Sequence, residues 1–384
     1  MDFRFGDEQT AIQELARGIF EKEVSLDRLE AAEASPDRID ERLWGTLAEA
    51  NLLGTAVPDA HGGMGLGLLE LLSLCHEVGR ALAPVPVLPA LLLGGLPLAR
   101  FGTSAQQAAW LPPLAAGDAW LSAALDDAGS ADVDAPATAA IRDGSGWRLR
   151  GVKRFVPLGN RAARVLVPAA SDAGVGVFLV DPRSDGVRLT AARTSTHELL
   201  FTLELADVSL GAGDRLGGES ADGGEIARFA LACGMLGVCA MQGGVSERAL
   251  EITTRHLRER EQFGAPIGSF PAVQQRTADA WIDLQAMRWT LWRAAWRLAE
   301  GLPATREIAV AKFWAAEGGA RIADTAQHQH GGLGVDISYP IHRYFLWSRA
   351  LALRFGGASP TLVRLGRELA AAPPPAHAGE GAPR

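Results

Sequence analysis

The sequence predicts an α+β protein in which a β-rich region separates two helical regions. In the first 120 residues, apolar side chains recur at helical spacing. From about Leu121 the pattern changes to short alternating or apolar runs separated by Gly, Asp and Ser clusters. After Gly223-Gly224 the helical period returns. Because strands and helices do not alternate along the chain, a parallel βαβ sheet is excluded.

The N-terminal helices are predicted from two amphipathic stretches. Residues 7–24 and 41–53 each place their apolar positions on one helical face. Pro58 and Gly62-Gly63 then interrupt the pattern before another helix begins near Leu68.

The later elements follow the same reasoning. Strands are predicted around 147–150, 175–180 and 199–205, and helices over 225–260, 272–300, 308–329 and 340–370. The last segment contains three successive prolines and is expected to be disordered. The predicted regions are therefore 1–120 (helical), 121–217 (β), 218–370 (helical) and 371–384 (tail).

Composition narrows the class of protein. The 384 residues are 48% hydrophobic and 21% charged, which excludes a mainly disordered chain. A net charge of −8 without a dense basic run argues against nucleic acid as a partner. Three cysteines are too few for a disulfide framework and favour a cytoplasmic protein. The uncharged stretch 229–246 fits a buried helix better than a membrane span, so no membrane partner is expected.

Two common cofactor motifs are unconvincing here. The Gly-rich strings 62–67 and 331–334 do not follow a strand inside a βαβ unit, so they make poor dinucleotide fingerprints. His328 and His330 form a weak pair without further ligand motifs, and no metal site is predicted.

The strongest single motif runs from Glu259 to Phe270, at the end of a long helix. Arg260 can pair with a phosphate as a planar fork, and Phe263 can shield an aromatic group. A helix C-cap with a buried Phe and a solvated Arg explains the same residues equally well.

Several motifs together resemble the acyl-CoA dehydrogenase family over about residues 5–370. They are Arg260-x-x-Phe263-Gly264 with Ile267-Gly268, His330-Gly331-Gly332-Leu333-Gly334, Val57-Pro58 with Gly62-Gly63, Trp147 through Phe155, and Asp207 through Gly217. The resemblance implies a helical domain, a β-barrel and a four-helix bundle. It also implies FAD as cofactor, an acyl-CoA thioester as substrate, and an electron-transferring flavoprotein as electron acceptor.

The resemblance also implies positions for flavin contacts. Family tetramers hold each flavin between two subunits, and the matching positions that reach the neighbour's flavin are Arg260, Phe263, Gly264, His328, Gly331 and Gly332. His328 replaces the usual Gln, and Pro271 removes another family Gln. Contacts within the subunit fall on Ser130, Phe155 and Val156, but Pro157 replaces a Thr and has neither a hydroxyl nor a backbone N–H.

The catalytic base implied by the family has no counterpart. An α-proton can be removed only by a general base within hydrogen-bond reach, and the two family positions for a Glu correspond to Gly356 and Gly234. The acids nearest Gly234 along its helix, Glu225 and Glu247, are nine and thirteen residues away (234 − 225 and 247 − 234). At ~1.5 Å per residue they miss the position by roughly 13–20 Å. No residue of this chain is predicted to be catalytic.

These omissions are typical of the base-lacking subunit of heteromeric α2β2 steroid-type acyl-CoA dehydrogenases, which the stretch 330–358 also resembles. The resulting hypothesis is that this chain supplies half of a flavin site to a second, base-bearing subunit. Two alternatives remain: a self-sufficient dehydrogenase with an unusual base, and a flavin-free structural or regulatory subunit. Trp289, Trp292 and Trp296 could pack the subunit interface, or simply the bundle core.

Overall fold

The computed structural model describes residues 5–130 and 132–371, and its first region is helical. The N-terminal helices are α1 (Asp7–Glu23), α2 (Leu26–Ala34), α3 (Glu41–Glu49), α4 (Leu68–Ala81), a π-helical segment (Leu88–Gly95) that continues into α5 (Leu96–Phe101), and α6 (Ser104–Ala115). They share a core whose centre includes Phe20, Leu47, Leu72 and Leu92. Local capping sets several of the helix starts, as where the Asp40 carboxylate accepts the Leu43 N–H at 2.9 Å.

The middle region is one eight-stranded sheet. Its strands are β1 (Leu121–Ala123), β2 (Asp126–Asp127), β3 (Ala139–Asp143), β4 (Gly146–Pro157), β5 (Arg164–Ser171), β6 (Gly174–Val180), β7 (Val187–Arg193) and β8 (Leu199–Leu210). The order is β1-β5-β3-β4-β8-β7, with β2 added beside β4 and β6 beside β5. In β4, Trp147 and Leu149 are buried while Arg148 and Arg150 are exposed, so the alternation in the sequence marks the face of the sheet that packs on the core.

The C-terminal region is a helical bundle built on one long helix. Its elements are α7 (Gly223–Glu259), the short hairpin of β9 (Glu261–Gln262) and β10 (Ala265–Pro266), α8 (Pro271–Ala299), α9 (Thr305–His330), α10 (Ile341–Leu353) and α11 (Ala358–Ala371). Within the described residues, α7 is the one helix long and apolar enough to cross a membrane. However, 78% of its apolar window is buried inside the protein, as in the core helix of a folded domain.

The predicted order of helical, β and helical regions is confirmed, but one predicted helix is wrong. The segment 340–370 forms two helices, α10 and α11, separated by a turn. Phe355 and Gly356 lie in this turn with φ angles of 57° and 95°, which break the helix. The tail predicted to be disordered lies, from residue 372 onward, outside the described residues.

Candidate functional site

The Arg260 motif forms a projecting hairpin at the end of α7. Arg260 is the C-cap residue, and its N–H donates to the His256 carbonyl at 2.8 Å. Phe263 and Gly264 form the tip with φ angles of 55° and 78°. The Phe263 side chain is 96% exposed, so the alternative of a C-cap with a buried Phe is wrong. Arg260 is exposed as well, and no carboxylate among the described residues pairs with it. The hairpin therefore presents a guanidinium and an aromatic ring to a molecule outside this chain.

The glycine loop begins where α9 ends. Gly331 has a φ of 57° and its N–H donates to the His328 carbonyl, a C-terminal cap that favours glycine. A Cβ atom at Gly331 or Gly332 would meet nothing within 4 Å, so the backbone here faces open space. The His328 side chain is exposed beside it. Such a bare backbone allows a phosphate-sized group to approach closely.

A histidine stack brings the hairpin and the glycine loop together. The rings of His256, one turn before Arg260, and His330, next to Gly331, stack with centroids 4.5 Å apart. Tyr339 lies against His330 at 5.3 Å on the same cluster. Burial holds the pKa of both imidazoles below its usual value, which favours the neutral forms and avoids repulsion within the stack.

We did not predict this stack from the sequence, although the spacing of His256 and Arg260 along α7 is consistent with it. His256 lies four residues before Arg260 and therefore on the same face of α7. His330 is buried and hydrogen-bonded to the Ala326 carbonyl at 2.8 Å through Nδ1. His330 therefore packs the end of the bundle. Among the described residues, no group of three or more potential metal ligands is found.

The segment expected to face a flavin ring lies at the end of β4. Phe155 is 63% exposed and has a φ of 53°, whereas Val156 is fully buried. Pro157 has no N–H, and its carbonyl accepts the Ser122 hydroxyl at 2.6 Å. This segment therefore presents the Phe155 ring at the surface, and Pro157 provides neither a hydroxyl nor a backbone N–H donor.

Ser130 lies in a loop that a buried ion pair anchors to β4. Its carbonyl accepts the Asp127 N–H at 3.0 Å, and the Asp127 carboxylate lies 2.6 Å from the Lys153 ammonium. Asp127 also accepts the Thr138 N–H at 3.1 Å. Burial lowers the pKa of Lys153, although the contact with Asp127 favours its charged form. Ser130 and Phe155 are thus carried by the same part of the sheet, while Arg260 and Gly331 belong to the bundle.

The two positions expected to carry a base lie in α7 and in the α10–α11 turn. A Cβ atom at Gly234, in α7, would lie 2.6 Å from Leu93 Cδ2 and 3.0 Å from the Phe355 ring. A Cβ atom at Gly356 would meet only Pro360 Cβ, at 4.0 Å. The α10–α11 turn therefore meets α7 beside Gly234, and the side chain that fills this place is the Phe355 ring. Glu247 is held elsewhere, by an ion pair with Arg80 at 3.0 Å.

Ion pairs cross the crevice between the sheet, the bundle and the N-terminal helices. Arg354, at the end of α10, pairs with Glu198, which precedes β8. Arg343 of the same helix pairs with Glu33 of α2, and His197 approaches Glu33 at 3.9 Å. The cavity that remains between these elements has a volume of about 100 Å³. The sequence could not reveal these contacts, because they join residues far apart in the chain.

The order of helical region, sheet and helical bundle is the fold of the acyl-CoA dehydrogenases. The chain belongs to the acyl-CoA dehydrogenase family. The family's N-terminal domain matches residues 6–118 and its C-terminal domain matches residues 221–365. Enzymes of this family are FAD-dependent oxidoreductases.

Similar proteins extend over almost the whole chain. Acyl-CoA dehydrogenase FadE27 of Mycobacterium tuberculosis is 41% identical over 362 residues, covering 92% of this chain and 93% of its own. A structure of the ChsE4-ChsE5 complex from Mycobacterium tuberculosis matches with a TM-score of 0.91 and 39% identity, over 97% of this chain and 100% of that one. A variant of the Tcur3481-Tcur3483 steroid ACAD matches with a TM-score of 0.89 and 43% identity, over 95% of this chain and 98% of that one. This chain is therefore similar to subunits of two-component complexes.

Proposed function

We propose that this chain is the subunit of a heteromeric acyl-CoA dehydrogenase that completes a flavin site on a base-bearing partner. The observation that carries the proposal is the contrast between two parts of the chain. The hairpin of Arg260 and Phe263 and the loop of Gly331 are exposed. The positions for a base, in contrast, hold Gly234 and an apolar wall that includes Phe355.

The exposed residues suit the adenosine and pyrophosphate end of FAD. The Arg260 guanidinium would donate hydrogen bonds to the pyrophosphate as a planar fork. Phe263 would cover the adenine, while Gly264, Gly331 and Gly332 allow close approach of the backbone and His328 lies at the rim. When bound, FAD supplies the acceptor for the hydride that leaves Cβ of the acyl chain. This chain's contribution is to bind and orient the cofactor.

The chain's own ring-side half does not fit a flavin equally well. Pro157 offers no N–H, although Ser130, Phe155 and Val156 keep the family's positions. The Arg354–Glu198 pair joins the bundle to the sheet across the crevice. These features support a single productive flavin site per pair of subunits, on the partner's side.

The proposal extends to substrate, partners and location. The substrate is an acyl-CoA thioester, and the steroid ACAD among the similar structures favours a steroid-derived acyl group. The partner is a second acyl-CoA dehydrogenase-like subunit, which supplies the catalytic Glu. Electrons would pass to an electron-transferring flavoprotein, and the complex would act in the cytoplasm.

Co-expression with the candidate partner tests the proposal. The chain purified alone should retain little FAD and show no turnover, whereas the complex should bleach its flavin absorbance when acyl-CoA is added. In the complex, Arg260→Ala should weaken FAD retention about tenfold or more, because a charge-assisted contact is lost. Arg306→Ala, at an exposed arginine near the start of α9, is the matched control.

Two results would contradict the proposal. Full flavin occupancy and turnover by the lone chain would favour a self-sufficient enzyme. Unchanged FAD retention in the Arg260→Ala complex would instead favour a structural or regulatory subunit.

A further inference from the structure

The segment that follows Gly332 turns apolar side chains to the outside of the protein. Val335 is 71% exposed and Ile337 is 77% exposed, and Leu333 beside them is exposed as well. A single exposed apolar residue needs no explanation, whereas several that share one short loop are typical of a binding surface. We call the segment 333–338 the apolar loop.

Hydrogen bonds and close packing fix the shape of the apolar loop. The Asp336 carboxylate accepts the Ser338 N–H at 2.9 Å and the Ser338 hydroxyl at 2.7 Å. On the inner side, a Cβ atom at Gly334 would lie 2.9 Å from the Gln327 carbonyl oxygen, so the loop packs directly on the end of α9. The loop is therefore held in a shape that turns its glycine inward and its aliphatic side chains outward.

The apolar loop continues the surface that the flavin proposal assigns to the partner. It begins directly after Gly332, and Tyr339, which follows it, lies against His330 in the histidine stack. That stack also contains His256, four residues before Arg260. The apolar loop, the glycine loop and the hairpin therefore lie at the same end of the bundle.

The aliphatic side chains suit a protein surface better than they suit the cofactor. Val335 and Ile337 offer no donor to a pyrophosphate, and the proposed flavin contacts fall on the hairpin and the glycine loop. A flavin that is shared between two subunits brings the subunit that carries it to this end of the bundle. The surface of that subunit is then the apolar surface available to cover the loop.

We propose that the apolar loop, through Val335 and Ile337, is a docking surface for the base-bearing partner subunit. The inference rests on the proposed function, which supplies the partner, and it adds a protein–protein contact to the flavin contacts. The matching surface of the partner is apolar and lies beside the adenosine end of its flavin. Because this contact involves no cofactor, it should help to hold the subunits together after FAD is removed.

Assembly of the two subunits tests this inference. The partner used is the acyl-CoA dehydrogenase-like subunit whose co-expression with this chain gives flavin bleaching by acyl-CoA. The double variant Val335→Thr with Ile337→Thr keeps the β-branched shape but adds hydroxyls that are costly to bury without partners, so it should weaken assembly about tenfold or more. Analytical ultracentrifugation measures the dissociation constant, with FAD bound and after its removal. Ile141→Thr, at an exposed isoleucine of β3, is the matched control and should leave assembly unchanged.

Amide hydrogen exchange separates coverage by protein from coverage by cofactor. On assembly, the amides of residues 333–338 should exchange about fivefold more slowly or less, both with FAD bound and after its removal. The amides of β3, which contains the control position Ile141, serve as the reference.

Three results would overturn the inference. Equal assembly of the double variant and the unmodified chain would show that the loop does not dock. Slower exchange only with FAD bound would assign the loop to the cofactor. A chain that dimerises alone, with a monomeric double variant, would assign the loop to a second copy. Failure of the flavin proposal has a different signature, namely FAD retention that Arg260→Ala does not change while the double variant still weakens assembly.

Discussion

At the scale of single residues, the main feature is the close packing around Gly234, one of the two positions at which the family resemblance predicts a base. Gly234 and the α10–α11 turn meet at one place in the bundle, and the Phe355 ring fills it. The surrounding packing is too close to admit a side chain at position 234 without a shift of Leu93 or Phe355. Any side chain at position 234, a Glu included, would therefore have to displace one of these two neighbours.

We predict that Gly234→Ala destabilises the chain although alanine favours helices. The added Cβ would lie 2.6 Å from Leu93 Cδ2, and overpacking of this kind typically costs about 1–3 kcal/mol. Gly18→Ala is the control, because Gly18 is also helical but has nothing within 4 Å of the added atom. Gly18→Ala should stabilise by up to ~1 kcal/mol. Urea denaturation measures both, and equal effects of the two variants would contradict the packing argument.

At the scale of elements, a charged network joins α1, α4 and α7. The central residue is Glu77 of α4, which is 1% exposed and accepts hydrogen bonds from Arg17 of α1 at 2.8 Å. His76 lies 3.2 Å from Glu77 and 3.4 Å from Glu247 of α7. Burial by itself lowers the pKa of His76, but the hydrogen bonds to Glu247 and Glu77 outweigh it and raise the pKa to about 8.

This network predicts a pH dependence of stability with a definite sign. The folded pKa of His76, about 8, is above its ordinary value of 6.5. Its contribution is therefore complete below pH 6.5 and is lost as the pH rises through 8. A shift of this size corresponds to about 2 kcal/mol. For Glu77, hydrogen bonds from His76 and Arg17 outweigh burial and lower the pKa to about 2, so its contribution is lost only as the pH falls from 4.5 toward 2.

The variant His76→Gln tests the alkaline side. Between pH 6.5 and 8.5, the stability advantage of the unmodified chain over this variant should shrink by about 1.5 kcal/mol. His61→Gln, at a half-buried histidine outside the network, is the control variant. If the free energy of unfolding of His76→Gln changed with pH in parallel with that of the unmodified chain, the imidazole charge would not contribute to joining the helices.

At the scale of the whole molecule, two ion pairs hold the three regions around the central crevice. Arg354–Glu198 joins the bundle to the sheet, and Arg343–Glu33 joins the bundle to the N-terminal helices. Glu198 and Arg354 are 34% and 19% exposed, so their pair is partly shielded from water. The crevice should therefore open locally more easily when one of these pairs is broken.

We expect Glu198→Arg to loosen this crevice by placing two like charges together. Loss of about 1 kcal/mol of coupling should speed amide hydrogen exchange in residues 194–199 and 350–357 about fivefold. The charge-swapped double variant, Glu198→Arg with Arg354→Glu, should restore slow amide hydrogen exchange. The amides of strands β5 and β6 serve as internal references for the exchange rates. Equal amide exchange rates in the single and the charge-swapped variants would show that the Arg354–Glu198 pair does not couple the sheet to the bundle.

The sequence by itself determined the order of the three regions and the family. Helical periodicity, strand alternation and local motifs such as Arg260-x-x-Phe263 depend on neighbours in the chain, so they can be predicted without tertiary structure. That Gly234 and Gly356 take the place of the family's base stays a prediction from the resemblance. The local signals failed over 340–370, where left-handed backbone at Phe355 and Gly356 divides one predicted helix into two.

Only the tertiary structure decided which distant residues meet. It showed that Phe263 is exposed rather than buried, that His256 stacks on His330, and that Phe355 packs beside Gly234. It also produced the ion pairs Arg354–Glu198 and Arg343–Glu33 across the crevice. The physical reason is that exposure, ring stacking and ion pairing depend on which surfaces pack together, and the spacing of residues along one chain does not contain that information.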